Sequence, residues 1–346
     1  MSFRALFYVE QDYAFDILRP LQTEINAQGG SVYWFLVGQE VSAARLQKDE
    51  LRVPTVREVI ALNPDAVFAP GDRVPGFFPG LKVQVFHGLN EDKRGNVYPE
   101  RGLFDLYCTE GPGRTAMLKA ALAYRPTFTV CETGWLKLDT LLKYRRSEMT
   151  LHNANSERPV ILFASTFTPR LSCAEGVFPA IQSLSVTGDW QWLVTLHPKM
   201  AAATVAKYRQ LAGPHVEFCT NDQVIDAMHR ADVMVCDNSS ILQEFLLLKK
   251  PVVTVCNRAP GPHLINITDP SHLQSAIKKA LEPDTSLQLA IDGYGTAITP
   301  YLDGQSAQRV YQATLQLLES GWQDRKPANV FRNWKMRKQL RYFKFW

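Results

Sequence analysis

The chain has 346 residues, 46% of them hydrophobic and 21% charged, with a net charge of +4. That length makes room for two domains of about 150 residues, and the composition excludes disordered, collagen-like and disulfide-scaffold classes. No run reaches the roughly 18 apolar residues of a membrane-spanning helix, and Met1 to Val9, followed at once by Glu10 and Asp12, lacks the basic start and long apolar core of a signal peptide, so the chain is expected in the cytoplasm.

The elements alternate along the chain. Ala5 to Val9 is a short apolar strand, and Asp12 to Ala27 carries Phe15, Leu18, Leu21 and Ile25 at helical spacing before Gly29-Gly30 ends it. A second strand spans 31–37, a helix Val53 to Leu62, and further strands 65–71, 82–88 and 105–111; Thr115 to Tyr124 is helical and 128–134 is a sixth strand. Short buried strands alternating with helices predict a mostly parallel sheet covered on both faces. Residues 143–158 are polar and without apolar period, and read as a linker.

The alternation then restarts. Strands are expected at 158–166, 190–198, 215–220, 232–240 and 251–256, with helices at Ala201 to Leu211, Asp222 to Arg230, Ile241 to Leu248 and Ser271 to Leu281, and a late amphipathic helix at 305–320. The expected fold class is α/β: two Rossmann-like lobes around a cleft, with parallel sheets and helices on both faces. The expected boundaries are 1–142 for an acceptor domain, 143–158 for the linker, 159–304 for a nucleotide-donor domain, 305–322 for a closing helix and 323–346 for a tail. Ligands in such sheets sit beyond the carboxyl ends of the strands.

The six cysteines, Cys108, Cys131, Cys173, Cys219, Cys236 and Cys256, form no Cys-x-x-Cys pair and are expected as small buried hydrophobes. No Gly-x-Gly-x-x-Gly, P-loop, His-Glu-x-x-His or Gly-x-Ser-x-Gly is present.

Candidate chemistry falls at strand ends. Asp237-Asn238-Ser239-Ser240 joins a strand to an apolar helix; free backbone N–H groups and two hydroxyls there would suit a pyrophosphate, though plain helix capping uses the same residues. His197-Pro198 and Phe86-His87-Gly88 each put an imidazole at a strand end, where it can hold a phosphate or move a proton, or serve structure alone. Gly88 allows close approach, and Lys93 and Arg94 follow nearby. Ser165, Thr166 and Arg170 form a hydroxyl- and guanidinium-bearing loop, and Asp303-Gly304 with Ser306 reads as a turn and cap. No carboxylate pair points to a metal, so none is expected, and no cofactor beyond an activated donor.

In order, the His-Gly, the Thr-Phe loop, Leu196-His197-Pro198, Ala231-Asp232-Val233-Met234-Val235-Cys236-Asp237-Asn238-Ser239-Ser240 and Asp303-Gly304-Gln305-Ser306 resemble the CDP-glycerol glycerophosphotransferase family of teichoic-acid primases and polymerases, over roughly residues 80 to 310. Asn238 and Phe86 stand where that family more often has an aromatic and a tryptophan. The resemblance implies a GT-B fold and transfer of glycerol phosphate or ribitol phosphate from a CDP-activated donor to a glycan or lipid-linked acceptor, releasing CMP. It implies that His87 is the general base, that His197, Asp237, Asn238, Ser239, Ser240, Ser165, Thr166, Arg170, Asp303 and Ser306 attend the donor, and that Gly88, Lys93 and Arg94 lie on the acceptor side.

Residues 325–346 carry eight Lys or Arg and no acid, leaving the other 324 residues at −4. The tail interleaves Arg332, Lys335, Arg337, Lys338 and Arg341 with Trp334 and Trp346, a composition suited to an anionic membrane surface or to packing on the protein itself. The acidic body speaks against nucleic acid. A peripheral site on the inner face of the cytoplasmic membrane is therefore expected. Two rivals share much of the pattern: a GT-B glycosyltransferase using a UDP-, GDP- or CMP-sugar, and an inactive, membrane-docked nucleotide-binding scaffold. A UDP-N-acetylglucosamine 2-epimerase of the same architecture would be expected to carry a His-x-Glu-x-Gly run, which is absent.

Overall fold

The computed structural model describes residues 2–89, 102–143 and 158–343. The chain falls into two compact units, one of Met1–Leu142 with Ala297–Trp346 and one of Lys143–Thr296.

Unit 1 is built on β1 (Arg4–Val9), β2 (Ser31–Leu36), β3 (Leu51–Arg52), β4 (Ala66–Ala69), β5 (Leu81–Gln84), β6 (Leu106–Thr109) and β7 (Thr129–Glu132). These seven lie parallel in the order β3-β2-β1-β4-β5-β6-β7. Apolar side chains cover both faces. One cluster gathers Phe7, Trp34 and Phe68 with Phe15, Leu18, Leu21 and Ile25 of α1 (Ala14–Ala27); the other gathers Leu6, Val67, Phe78, Phe86, Phe104 and Tyr107. Helix α2 (Val56–Leu62) begins three residues later than its periodicity implied, because Thr55 caps it by accepting from Glu58 N–H. Residues Leu51–Arg52 instead add an edge strand, and Val53 N–H donates to Trp34 at 2.9 Å. Helices α3 (Pro112–Leu122) and α4 (136–143) follow.

Unit 2 repeats the plan with β8 (Val160–Ser165), β9 (Gln191–Leu196), β10 (Val216–Phe218), β11 (Val233–Cys236), β12 (Val252–Val255) and β13 (Ile265–Ile267), in the order β10-β9-β8-β11-β12-β13. Its helices are α5 (Ala174–Ser185), α6 (Ala202–Arg209), α7 (Val224–Arg230), α8 (Ile241–Leu247), α9 (Leu273–Leu281) and α10 (Thr285–Ile298). Helix α5 escaped the periodicity reading because Gly176 and Pro179 interrupt it. Its buried Ala174, Val177 and Ile181 nevertheless join the core with Trp192 and Tyr208. Both parallel sheets, with helices on either face, match the expected α/β class.

The chain returns to unit 1 within the last turn of α10. Helix α11 (Ser306–Glu319) then inserts Ala307, Val310 and Tyr311 into the core beside α1. The buried Asp139 of α4 accepts from Ser306 N–H at 3.0 Å and Ala307 N–H at 2.8 Å, meeting the orphan donors at the start of α11.

One device recurs in both sheets. Asp65, Asp105 and Asp232 each stand just before a strand and accept from the backbone N–H of Arg4, Lys82 and Val160, at 2.7, 2.7 and 2.8 Å. Each aspartate's own N–H donates back to the same residue's carbonyl. The carboxylate thus fixes the register at the amino end of neighbouring parallel strands. Asp105 does more, since its buried carboxylate also pairs with the ammonium of Lys326, beside the buried Lys82, whose pKa burial pushes down to about 8. We predict that Asp105→Ala destabilises unit 1 by about 3 kcal/mol, because it leaves a buried amide without its acceptor and the buried Lys326 ammonium with Asp324 as its remaining carboxylate, whereas Asp65→Ala costs about 1 kcal/mol. Urea unfolding followed by tryptophan fluorescence separates the two.

Candidate functional site

In each sheet the strand order reverses once, between β1 and β4 in unit 1 and between β8 and β11 in unit 2. Loops leaving the two strands diverge there, which opens a crevice at their carboxyl ends.

At the unit 1 switch point the crevice is an open cavity of about 470 Å³. It is lined by Glu10, Gln11 and Tyr13 after β1, by Gln39 and Glu40 after β2, by Pro70, Asp72 and Arg73 after β4, and by His87 and Gln339. The backbone reaches His87 through Phe86, which takes φ +49, a left-handed conformation unusual for an aromatic residue. The Phe86 ring is buried with the Arg114 guanidinium 4.0 Å from its centroid, and Arg114 also donates to Gly88 O at 2.9 Å. These contacts hold the strained turn in place. His87 Nδ1 lies 3.1 Å from Pro70 O. A carbonyl can only accept, so Nδ1 carries a proton. The ring stacks on Tyr13, with centroids 5.0 Å apart. Buried Gln84 donates to Gly71 O and to Asp72 at 3.2 Å, fixing the loop opposite. Glu10 accepts from Arg73 at 2.9 Å and from Tyr8 OH at 3.3 Å, and burial raises its pKa. At Gly88 a Cβ would come within 4 Å of none of the described residues. Lys93 and Arg94 lie outside the described residues.

At the unit 2 switch point the crevice is bridged. Asp237 is fully buried and accepts from Ser165 Oγ, from Thr166 N–H at 3.1 Å and from Cys173 N–H at 3.1 Å. Desolvation nevertheless raises its pKa. Asn238 donates to Leu171 O and Cys256 O and accepts from Arg258 N–H at 2.9 Å. The pair therefore stitches together the loops after β8, β11 and β12. Asp237 and Ser165 act as interior ties, not as surface contacts. Their work is to set the loop that carries Thr166, Phe167 and Arg170. The ring of Phe167 packs 4.3 Å from that of His197. His197 is exposed, and its Nδ1 accepts from Lys199 N–H at 3.0 Å, so Nε2 carries the proton. Ser240 and Arg170 are exposed and Ser239 is half-buried, with no side-chain cap on α8. This edge thus presents N–H and O–H donors, as a phosphate requires.

Asp303 and Ser306 belong to unit 1, whereas that edge is built in unit 2. Asp303 pairs with Arg309 and accepts from Gln305 N–H at 3.1 Å. Ser306 is fully buried at the start of α11; Gly134 faces it at φ +85, where a Cβ would come within 2.6 Å of Ser306 Oγ.

The basic tail folds onto unit 1. Helix α12 (Val330–Gln339) turns Asn333, Met336 and Arg337 inward: Asn333 accepts from Gly76 N–H at 3.0 Å, Met336 is buried, and Arg337 stacks 4.1 Å from Phe77. Arg337 is therefore a packing residue, which corrects its place among the membrane-facing cations. Arg332, Trp334, Lys335, Lys338 and Arg341 remain exposed together with Phe331, at 84%, while Trp346 lies outside the described residues. The inward stripe at 333, 336, 337 and 340 accounts for the lack of an aromatic stripe in the tail's sequence.

Several lining residues, Glu10, Tyr13, Glu40 and Asp72, went unnoticed in the sequence. The available signal was their position just beyond β1, β2 and β4, the strands at the switch point and its neighbour.

Two parallel α/β units, each with a switch point at the carboxyl ends of its strands, are the architecture of the GT-B fold. The sequence profile of CDP-glycerol:poly(glycerophosphate) glycerophosphotransferases matches residues 115–316, more than half of the chain, and the chain belongs to that family. It is a transferase that moves a polyol phosphate from a CDP-linked donor. In structure it is similar to the wall teichoic acid polymerase TagF, with TM-score 0.66 and 14% identity over 92% of this chain and 90% of that one. It is also similar to a putative UDP-N-acetylglucosamine 2-epimerase from Listeria monocytogenes, with TM-score 0.66 and 15% identity over 94% and 99%, and to the UDP complex of S. aureus MnaA, with TM-score 0.61 and 16% identity over 94% and 99%. No curated protein matches the chain in sequence.

We predict that Asp237→Ala destabilises unit 2 by about 3 kcal/mol, since three interior donors lose their acceptor. Because burial raises the carboxyl's pKa, its contribution is greatest below the unfolded value near 3.8 and declines as pH rises through the folded value. The stability difference between native protein and Asp237→Asn, followed by urea unfolding from pH 4 upward, should shrink with rising pH.

Proposed function

We propose that the chain transfers glycerol phosphate or ribitol phosphate from its CDP-linked donor to a hydroxyl of a glycan or lipid-linked acceptor in teichoic-acid-type envelope synthesis, with His87 as general base. The observation that carries this is the place of His87 at the open cavity of the unit 1 switch point, with Nδ1 held 3.1 Å from Pro70 O. The acceptor oxygen attacks the phosphorus that bears the polyol, its proton passes to Nε2, a new P–O bond forms, and the bond to CMP breaks. CMP departs as an anion, which fixed donors stabilise better than water does. On unit 2 those donors would be His197 Nε2–H, the Thr166 loop with Arg170, and the hydroxyls of Ser239 and Ser240. Asp237 and Asn238 position them. No cofactor beyond the activated donor enters this scheme.

We place the protein at a membrane surface as part of the same proposal. Exposed Phe331 and Trp334 beside Arg332, Lys335 and Lys338 on a docked helix support it, since aromatic rings and cations together suit an anionic interface.

His87→Ala should lower CMP release from CDP-glycerol by roughly 10²- to 10⁴-fold while CDP binding, measured by calorimetry, is unchanged. His197→Ala and Ser239→Ala should weaken CDP binding. Full turnover in His87→Ala would refute the assignment of the base, and preferential binding of UDP or GDP would point to a sugar nucleotide. In a separate assay, the double substitution Phe331→Ser with Trp334→Ser should abolish sedimentation with phosphatidylglycerol vesicles; unaltered sedimentation would remove the tail from the membrane.

A further inference from the structure

A parallel sheet buries both faces, and its crossover connections normally supply the cover. Residues 70–80, which carry the chain from β4 to β5, form turns and no helix. Helix α12 takes that place, with Met336 buried in the same apolar cluster as Val74, Phe78 and Phe86. The segment that leads into it starts at the amino ends of the strands. There Lys326 pairs with the buried Asp105, which precedes β6, and Asn329 donates to Gly102 O at 3.0 Å. Pro327 packs on Gly102, where a Cβ would come within 2.8 Å of its ring. Further along, Asn333 accepts from Gly76 N–H at 3.0 Å, and Phe77 meets both the Arg337 guanidinium, 4.1 Å from its centroid, and the Tyr342 ring, at 5.9 Å. The helix ends at the opposite edge of the sheet. Gln339, in its last turn, lines the cavity with Pro70 and His87, which follow β4 and β5 at their carboxyl ends. Arg341 then takes φ +52 and Tyr342 N–H donates to Arg337 O at 2.9 Å, closing the helix at that point.

We infer that Gln339 contacts the hydroxyl-bearing end of the acceptor and sets acceptor affinity, and that the segment from Lys326 to Tyr342 is the strap that holds it there. The inference rests on the proposed transferase reading and adds to it a specificity-determining residue from beyond the family-matched span, which ends at residue 316. An amide suits the task, because its N–H groups donate and its oxygen accepts, so it can engage a hydroxyl of a polyol or of a sugar. A helix seated from one edge of the sheet to the other also presents that amide from a fixed backbone, which lowers the ordering cost of binding. Lys326, Asn333, Met336 and Arg337 are positioning residues in this arrangement: they act on the acceptor only through the seat of α12.

The test uses the full chain with CDP-glycerol and two probe acceptors, a neutral disaccharide glycoside and a glycerol phosphate trimer. CMP release gives kcat and the acceptor KM, calorimetry gives CDP affinity, and saturation-transfer NMR reads acceptor binding without donor. Gln339→Ala should raise the KM of the preferred probe about three- to tenfold, the worth of a neutral hydrogen bond, with kcat and CDP affinity unchanged. Met336→Asp should unseat α12, seen as faster amide exchange across residues 330–340, and raise the same KM by at least that factor. An unchanged KM in Gln339→Ala overturns the inference, as does a tail loosened by Met336→Asp with no effect on the acceptor. Gln339→Ala alters an exposed side chain and keeps the test valid if Met336→Asp fails to fold. Should the native chain release CMP with neither probe, the transferase reading falls and NMR decides the rest: a probe signal lost in Gln339→Ala upholds the role of Gln339, and a signal that is absent from the native chain or unaffected by the substitution overturns it.

Discussion

The reversal of strand order inside each parallel sheet is the constraint on which the rest depends. Parallel neighbours must be joined by crossovers, and where successive crossovers run to opposite sides the loops at the carboxyl ends separate. Both units place chemistry at that point. In unit 1 the gap stays open and holds an imidazole whose Nδ1 donates to a backbone carbonyl. In unit 2 a buried carboxylate and an amide close the gap and fix the loops that border it.

Aspartates recur as the means of fixing these loops and strands. Asp65, Asp105 and Asp232 pin the amino ends of neighbouring strands, Asp139 caps α11, and Asp237 gathers three donors at a carboxyl end. A carboxylate can serve several N–H groups at once, so one short side chain can join two or three backbone segments. At the buried Asp105, Asp139 and Asp237, removing the carboxylate would leave its backbone donors unsatisfied in a low-dielectric interior, a larger cost than the loss of an exposed ion pair.

The C-terminal segment links fold and chemistry within unit 1. Lys326 anchors it to Asp105, Asn333 and Met336 seat α12 on the sheet's covering layer, and Gln339 at its end lines the His87 cavity. The same helix faces outward with aromatic rings and cations. The exposed aromatic rings and cations of α12 therefore lie on the same helix that lends Gln339 to the His87 cavity.

Much of this was legible in the sequence. Alternating apolar runs gave the α/β class, the strands of both sheets save the two edge pieces Leu51–Arg52 and Ile265–Ile267, and the strand-end placement of His87, His197 and Asp237, because burial on both faces makes a parallel strand a continuous hydrophobic run. What those residues do there was decided by contacts far apart in sequence. Asp237, read as part of a phosphate cradle or a helix cap, is a buried tie because Ser165, Thr166 and Cys173, some 64 to 72 positions away, converge on it. The proton on His87 Nδ1 is set by the carbonyl of Pro70, and the cavity takes its lining from separate loops. Arg337 packs inward because Phe77 lies beneath it. Periodicity reports which face of an element is buried; only the folded chain brings distant polar groups within the 3 Å or so at which a hydrogen bond fixes a proton, a charge or a loop.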